Sequence, residues 1–406
     1  MNNEIVMTDD FNWHSFQGVQ KRLFHVAIKQ GYQDIKLDFS NVKRAFPNGF
    51  VPLIVLSEQL RKQGIEIETV LPDDDACRHN IIESNYAAYL SPQSGHPLSS
   101  KPNALHQFSD DSSLNDLINS QVHQILERAT YAEGVLQSFE WALNEIAGNV
   151  LVHAGVEHGW MQIVVHPATH HMAIAVADGG VGIPETIRKA FPEIQSDEDA
   201  IAHALKEGIT SRPDFGQGKG LTGTLQIVKI NAGGRLSIHS QKGRVEWLND
   251  RLEIKGDFPP FPGTFVDIQL NTAESIEIEK ALWGNFPGHP FNESLYGKDT
   301  PAGLMRMALA SEATGFGNRL TGLKIRNKIE NLLISAPNDI LEIDFSGVEL
   351  IASSFADEVF GKLALTLGFV GFGSKIRLIH INKFCRSIID DVVQSRIVQS
   401  RVSNGH

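Results

Sequence analysis

Four short polar or glycine-rich runs follow one another over residues 144–264, each at a predicted junction between helices, strands and loops. The runs are Asn144-Glu145-Ile146-Ala147-Gly148-Asn149, Asp178-Gly179-Gly180-Val181-Gly182-Ile183-Pro184, Gly216-Gln217-Gly218-Lys219-Gly220-Leu221 and Gly263-Thr264. Each run alone is weak evidence. Their order is informative, because it combines a polar helix stripe, a strand-end carboxylate, a glycine loop before a helix and a strand start.

The segment that carries these runs is predicted to form helices on one side of a sheet. Apolar residues at helical spacing predict helices over 132–152 and 221–231. Strands are predicted over 160–166, 171–177, 235–240, 245–252 and 264–270. Helices on one side of a mixed or antiparallel sheet give an α+β fold, an α/β sandwich.

Two smaller α/β regions flank this segment. The run Leu37-Asp38-Phe39-Ser40-Asn41-Val42 resembles Ile343-Asp344-Phe345-Ser346-Gly347-Val348, and a strand–turn–helix order is predicted around both. The match favours two related domains, although unrelated strand–turn–helix units can share so short a run. The predicted organisation is a domain over 1–95, a linker with a helical lead-in over 96–130, a central domain over 131–275, a linker over 276–290 and a C-terminal domain over 291–406.

Glu145, Asn149 and His153 fall at helical positions i, i+4 and i+8 and so share one stripe of the predicted main helix. A carboxylate there can orient or deprotonate a nucleophile. An Asn carbonyl oxygen is a suitable ligand for Mg²⁺, which accepts few protein ligands beside phosphate oxygens and water. The alternative for the helix alone is a polar face in contact with water.

Asp178 directly follows a predicted strand. Its carboxylate can accept a hydrogen bond from an exocyclic amine such as that of adenine. Gly180 and Gly182 allow close approach of the backbone to a flat ligand and positive φ angles. A plain Asp-Gly turn is the alternative.

The run Gly216-x-Gly218-x-Gly220-Leu221 precedes a predicted helix, whose free N–H groups can bind phosphate, and Lys219 can add a positive charge. The spacing is neither that of the dinucleotide motif nor that of the Walker A motif. A flexible loop is the alternative.

Together, the four runs resemble the N, G1, G2 and G3 boxes of the GHKL superfamily of ATPases, which includes histidine kinases and anti-sigma-factor serine kinases. The resemblance covers roughly residues 130–272 and implies a Bergerat ATP-binding fold. It implies adenine binding by Asp178, completion of that site by Thr264, Mg²⁺ binding by Asn149 and general-base action by Glu145. It also implies an ATP lid between Ile183 and Phe215.

The C-terminal region resembles the bacterial STAS-like domain of unknown function. Ser353 and Ser354 occupy the place of the phosphorylatable serine in STAS domains of the anti-anti-sigma type. Ordinary N-cap serines are an equally good interpretation. The first region has Pro47-Asn48 at the matching point, so a STAS-like domain there would lack the acceptor serine.

Several classes of protein are disfavoured. His106 and His123 precede the ATP-binding segment but lie in no His-Glu-Leu-Arg-Thr-Pro-like box, which argues against a sensor histidine kinase. The net charge of −12 argues against general nucleic-acid binding, and the basic residues over 306–328 favour a solvated helix face. The sequence shows no membrane span or signal peptide, and Cys77 and Cys385 indicate neither a disulfide framework nor a metal site.

The sequence therefore predicts a cytoplasmic regulator that binds ATP and Mg²⁺ and acts on its flanking domains or on a protein partner. A homodimer is a further option, because GHKL relatives often dimerise. Two alternatives stay open: a protein-serine kinase that phosphorylates a STAS-type serine, and a nucleotide sensor or scaffold without turnover.

Overall fold

A computed structural model of the protein describes residues 3–206, 220–282, 300–301, 303–313 and 315–403. The strands are β1 Glu4–Phe11, β2 Asp34–Ala45, β3 Glu66–Val70, β4 His106–Phe108, β5 Gly159–His166, β6 His171–Asp178, β7 Arg235–Gln241, β8 Gly243–Leu248, β9 Arg251–Lys255, β10 Phe261–Asn271, β11 Leu304–Ala308, β12 Ile340–Asp344 and β13 Ile376–Ile379.

The helices are α1 Trp13–Leu23, α2 Pro47–Lys62, α3 Asp75–Glu83, α4 Tyr86–Leu90, α5 Asp111–Arg128, α6 Val135–Asn149, α7 Gly182–Ala190, α8 Asp197–Ala204, α9 Gly220–Ile230, α10 Ile278–Ala281, α11 Leu309–Glu312, α12 Arg319–Ser335, α13 Ser353–Ala356, α14 Lys362–Lys375 and α15 Lys383–Ser403. π-helical turns continue α1, α6 and α13 over Phe24–Lys29, Val150–Ala154 and Asp357–Gly361. Two compact units result. One holds the described residues of 1–121 and 141–284, and the other those of 122–140 and 285–406.

The first unit is built on a seven-stranded sheet of order β4-β5-β6-β10-β7-β8-β9, in which every neighbouring pair is antiparallel. The inner strand β6 is buried at every position from Met172 to Asp178. It is covered on both faces, which explains its continuous apolar run instead of the alternation typical of a half-exposed strand. The α+β sandwich predicted for this segment is confirmed.

The N-terminal region adds a three-stranded parallel sheet, β1-β2-β3, to the same unit. Helix α2 lies between this sheet and strands β5, β6 and β10 of the larger sheet. A helix covered on two sides must be apolar nearly all round, and α2 buries most of its residues. One apolar core therefore runs from the N-terminal region into the larger sheet, where it includes Trp160, Phe261 and Phe265.

The second unit contains another three-stranded parallel sheet, of order β11-β12-β13. The matching runs of the two small sheets form the same local turn. The Oδ1 atom of Asp38 accepts a hydrogen bond from Ser40 N at 2.8 Å, and that of Asp344 accepts one from Ser346 N at 2.9 Å. Strand order and turn geometry thus both support the predicted internal repeat, while a STAS-like N-terminal domain stays a prediction.

Three predictions of elements were wrong. The strand predicted over 245–252 is two strands, β8 and β9, because Asn249 and Asp250 both adopt positive φ and form a two-residue hairpin turn. The segment predicted as a linker contains β4, which pairs with β5. In the segment predicted as a solvated helix face, Lys328 is 3% exposed. Strands β1 and β11 and helix α1 were not predicted.

Candidate nucleotide-binding site

Helix α6 carries Glu145 and Asn149 one turn apart, both half-buried. The Glu145 carboxylate lies against the first residue of α9, since a Cβ added to Gly220 would be 2.4 Å from Glu145 Oε2. Burial raises the pKa of Glu145. His153 lies in the π-helical turn that follows α6, where the α-helical spacing no longer applies. The predicted stripe thus holds for Glu145 and Asn149 but not for His153.

Asp178 ends strand β6 and is 4% exposed. Its Oδ1 atom accepts a hydrogen bond from Gly180 N at 2.8 Å, and the carboxylate also accepts one from the backbone of Thr264. Thr264 stands directly opposite Asp178 in the β6–β10 register. Burial raises the pKa of Asp178 to about 6, although both backbone bonds favour the ionised form. The predicted adenine-binding pair is therefore adjacent.

The glycines of this loop are required by close backbone approaches. Gly263 has a φ of +73°, and a Cβ on it would lie 2.3 Å from Asp178 Oδ1. A Cβ on Gly180 would lie 2.1 Å from Ala154 O, the atom that also accepts a hydrogen bond from Val181 N. Gly182 has a φ of +80° at the start of α7. The loop after β6 is thereby held against the end of the π-helical turn and the start of β10.

Ser240, which no sequence pattern singles out, joins the parts of this loop. Its hydroxyl donates to Gly263 O at 2.7 Å, accepts from Ile183 N at 3.0 Å and lies 3.1 Å from Thr264 Oγ1. It is fully buried on β7. A single serine in an alternating strand has no distinctive pattern, so only the pairing of β7 with β10 identifies it.

A second contact that the sequence did not indicate comes from the N-terminal region. Gln59 of α2 donates through Nε2 to the carbonyl oxygen of Gly179 at 3.3 Å. The neighbouring Glu58 pairs with His158 at 3.3 Å. The loop that follows Asp178 is thus contacted by α2.

Gly220 and Leu221 form the start of α9, as the sequence predicted. The N-terminus of an α-helix offers free N–H groups to phosphate. Gly216, Gly218 and Lys219, which were predicted to extend this phosphate site, lie outside the described residues.

The predicted lid is partly helical. Its first part forms α7 and α8, and Asp197 at the start of α8 binds the Arg188 side chain and accepts from Lys242 N at 2.9 Å. These contacts fix α8 to α7 and to the turn of the β7–β8 hairpin. Only residues 207–215 of the predicted lid lie outside the described part of the chain.

The residues present fit a nucleotide with one bound Mg²⁺. Asp178 offers a buried acceptor and Thr264 a hydroxyl opposite it, and Asn149 offers a neutral oxygen one helical turn from Glu145, which lies against the first residue of α9. Among the described residues, no group of three or more His, Cys, Asp or Glu side chains could hold a metal ion. Mg²⁺ bound mainly by phosphate and water needs no such group.

In the second unit, Ser353 is exposed and begins α13, and the N-cap of that helix is Ala352. The Ser354 hydroxyl lies 3.5 Å from Gly317 O. The expectation that these serines are ordinary N-caps is therefore wrong for this helix. Their role as phosphoacceptors stays a prediction.

An antiparallel sheet with a buried Asp at a strand end, a Gly-Thr pair opposite it and a helix that carries Glu and Asn is the arrangement that the resemblance to GHKL ATPases predicts. Residues 134–270 match the family of histidine kinase-, DNA gyrase B- and HSP90-like ATPases, and residues 321–383 match a STAS-like domain of unknown function. The chain therefore carries a GHKL ATPase domain, which implies ATP binding, and a C-terminal STAS-like domain.

No curated protein matches the chain at significant similarity. Across the part of the chain that the structure describes, no helix has the length and apolar character needed to cross a membrane.

Proposed function

We propose that the chain is a cytoplasmic regulatory protein that uses the binding and hydrolysis of Mg-ATP to control its flanking STAS-like domains or a protein partner. The observation that carries the proposal is the buried Asp178 carboxylate opposite Thr264, within a domain of the GHKL type. A buried carboxylate at a strand end is costly unless it has a binding role or full pairing.

Each site residue has a distinct task in this proposal. Asp178 accepts the exocyclic amine of adenine, and Thr264 completes the base site. The N-terminus of α9 at Gly220, with the preceding Gly216, Gly218 and Lys219, holds the phosphates. Asn149 binds the Mg²⁺ ion, which supplies charge neutralisation on the phosphates.

Glu145 is the proposed general base that activates water. A base works best when its pKa lies near the working pH, and burial moves the pKa of Glu145 upward from its ordinary value. Its carboxylate also lies at the α9 N-terminus, where the phosphates are expected. Position and pKa direction both suit the role.

The test is incubation of the full-length protein with γ-labelled ATP and Mg²⁺, with free phosphate and protein-bound label followed together. We expect multiple turnovers of free phosphate and a loss of about 100-fold or more in kcat for Glu145→Gln. Glu140→Gln is the matched control, because Glu140 lies on the same helix and is 7% exposed, more buried than Glu145. Equal turnover in the wild type and Glu145→Gln would remove Glu145 from the mechanism.

A second candidate function is a protein-serine kinase that acts on a STAS-type serine in cis or in trans. The exposed Ser353 at the start of α13 favours this function, because the N-cap position of that helix is occupied by Ala352 and not by the serine. In the same assay this activity gives stable protein label that disappears in Ser353→Ala or Ser354→Ala. A nucleotide sensor without turnover gives neither phosphate nor label while ATP still binds.

A further inference from the structure

The connection between α5 and α6 belongs to the same compact unit as the C-terminal STAS-like domain. Residues 122–140 lie in that unit, whereas the remainder of α6, with Glu145 and Asn149, lies in the unit of the ATPase sheet. One continuous helix of 15 residues, about 22 Å long, therefore begins in one unit and ends in the other.

The C-terminal end of α5 is capped by side chains of α12, about 200 residues later in the chain. Asn331 Nδ2 donates to Leu126 O at 3.1 Å and to Ala129 O at 2.9 Å, and Asn331 Oδ1 accepts from Tyr131 N at 3.0 Å. Asn327 Nδ2 donates to Glu127 O at 3.0 Å. The last carbonyl groups of a helix have no partner within it, so these two amides supply bonds that α5 needs.

Further polar contacts extend this interface to α6. Gln137 of α6 donates to Ser335 O at 3.3 Å. Lys328, which is 3% exposed, pairs with Glu127 at 2.9 Å and with Glu312 at 2.7 Å. Buried hydrogen bonds and ion pairs lose most of their value when their geometry changes, so this interface fixes the position of the α5–α6 turn.

We propose that α12 is the docking surface for the α5–α6 turn, and that this contact couples the C-terminal STAS-like domain to the nucleotide site through α6. The proposal deepens the proposed function and rests on it: the STAS-like domain of the same chain is the part that ATP controls. In this proposal the hydrogen-bonded backbone of α6 carries a shift of its first turns to Glu145 and Asn149. By linkage, nucleotide binding then changes the stability of the contact with α12.

The test is hydrogen exchange of the full chain with and without ATP and Mg²⁺. Protection over 172–182 reports on the site at Asp178, and protection over 122–140 and 319–335 reports on the contact with α12. We expect ATP to change all three segments. No change over 172–182 would overturn the proposed nucleotide site and the coupling together. A change over 172–182 alone would overturn the coupling and leave the proposed function standing.

Asn331→Ala should break the coupling. We expect it to weaken ATP binding by about fivefold and to abolish the ATP-dependent change over 319–335. The matched control is Asn382→Ala. Asn382 makes the same kind of cap, but within the STAS-like domain and not at the α5–α6 turn. Its Nδ2 atom donates to Val348 O and Glu349 O, and its Oδ1 atom accepts from Cys385 N. If Asn331→Ala does not fold, Asn327→Ala, which loses only the bond to Glu127 O, replaces it. Unchanged ATP affinity in the folded variant would overturn the proposal.

Discussion

At the scale of single residues, the site depends on a carboxylate whose hydrogen bonds are largely assigned before any ligand arrives. Asp178 accepts from Gly180 N and from the backbone of Thr264, yet its pKa is still about 6 because burial outweighs both bonds. A buried carboxylate of this kind is stabilised by one further hydrogen-bond donor. An amine at the edge of a purine is a donor of the right kind.

Asp178→Asn should weaken ATP binding about 10-fold to 100-fold, which corresponds to the loss of a hydrogen bond to a charged acceptor. Asparagine has one acceptor oxygen, so its amide group would face either a backbone donor or the adenine amine. Calorimetric titration with ATP at pH 8 measures the change.

Asp267→Asn is the control for this substitution. Asp267 is also a buried aspartate with a pKa raised to about 6, but it accepts from Asn48 and Gln269 and stands opposite Ala175, three residues before Asp178 on β6. The ATP affinity of the Asp267→Asn variant should match that of the wild type. Undiminished affinity in Asp178→Asn would reject the assignment of the adenine site.

The sequence alone predicts Asp178, Thr264 and the glycines as site residues, because a carboxylate or glycine at a strand end stands out from its neighbours. It missed Ser240 and Gln59 for the opposite reason. Both are ordinary polar residues within regular elements, and their contacts with the loop join positions 57 and 120 residues apart. Only tertiary structure brings such pairs together.

At the scale of elements, α2 connects the two sheets of the first unit. Asn48 in its first turn donates to Asp267 Oδ2 on β10 at 3.2 Å, and Gln59 near its end reaches the loop after β6. The sequence predicted a helix here but not its second contact surface. An apolar helix face does not identify the sheet that covers it.

The burial of Asp267 predicts a pH dependence of stability, because it outweighs the opposing hydrogen bonds from Asn48 and Gln269. Burial raises the folded-state pKa of Asp267 from an ordinary 3.8 to about 6, so the folded protein binds a proton that the unfolded chain releases between these values. Stability from this group is therefore full below about pH 4 and falls as the pH rises to 6. The difference corresponds to about 3 kcal/mol.

The side chain introduced by Asp267→Asn is neutral at every pH, so this variant lacks the loss of stability that Asp267 causes as the pH rises. Relative to the wild type, its free energy of unfolding should rise by about 3 kcal/mol between pH 4 and pH 8. Urea titrations of both proteins at the two pH values measure this. Parallel pH profiles would show that Asp267 ionises normally in the folded protein.

At the scale of the whole molecule, the chain contains two small parallel sheets of the same strand order with different surroundings. The N-terminal sheet shares an apolar core with the ATPase sheet, whereas β11-β12-β13 belongs to the unit that holds the start of α6. The repeat was predicted from two runs of six residues that are identical at four positions. The shared core could not be predicted from the sequence, because apolar residues like those that form it occur in any buried sheet.

The shared core predicts that residues 1–95 cannot be removed without loss of the ATPase fold. Trp160, Phe261 and Phe265 are each at most 3% exposed and touch Tyr89, Phe16 and Trp13 of the N-terminal region. Exposing three such side chains costs about 5–9 kcal/mol, which is comparable with the whole stability of a typical domain.

A fragment of residues 96–406 should therefore aggregate or lack a cooperative unfolding transition, as judged by size-exclusion chromatography and thermal melting. Co-expression of residues 1–95 as a separate chain should restore a soluble complex. A fragment 96–406 that melts cooperatively and binds ATP like the full chain would show instead that the N-terminal region is an independent module.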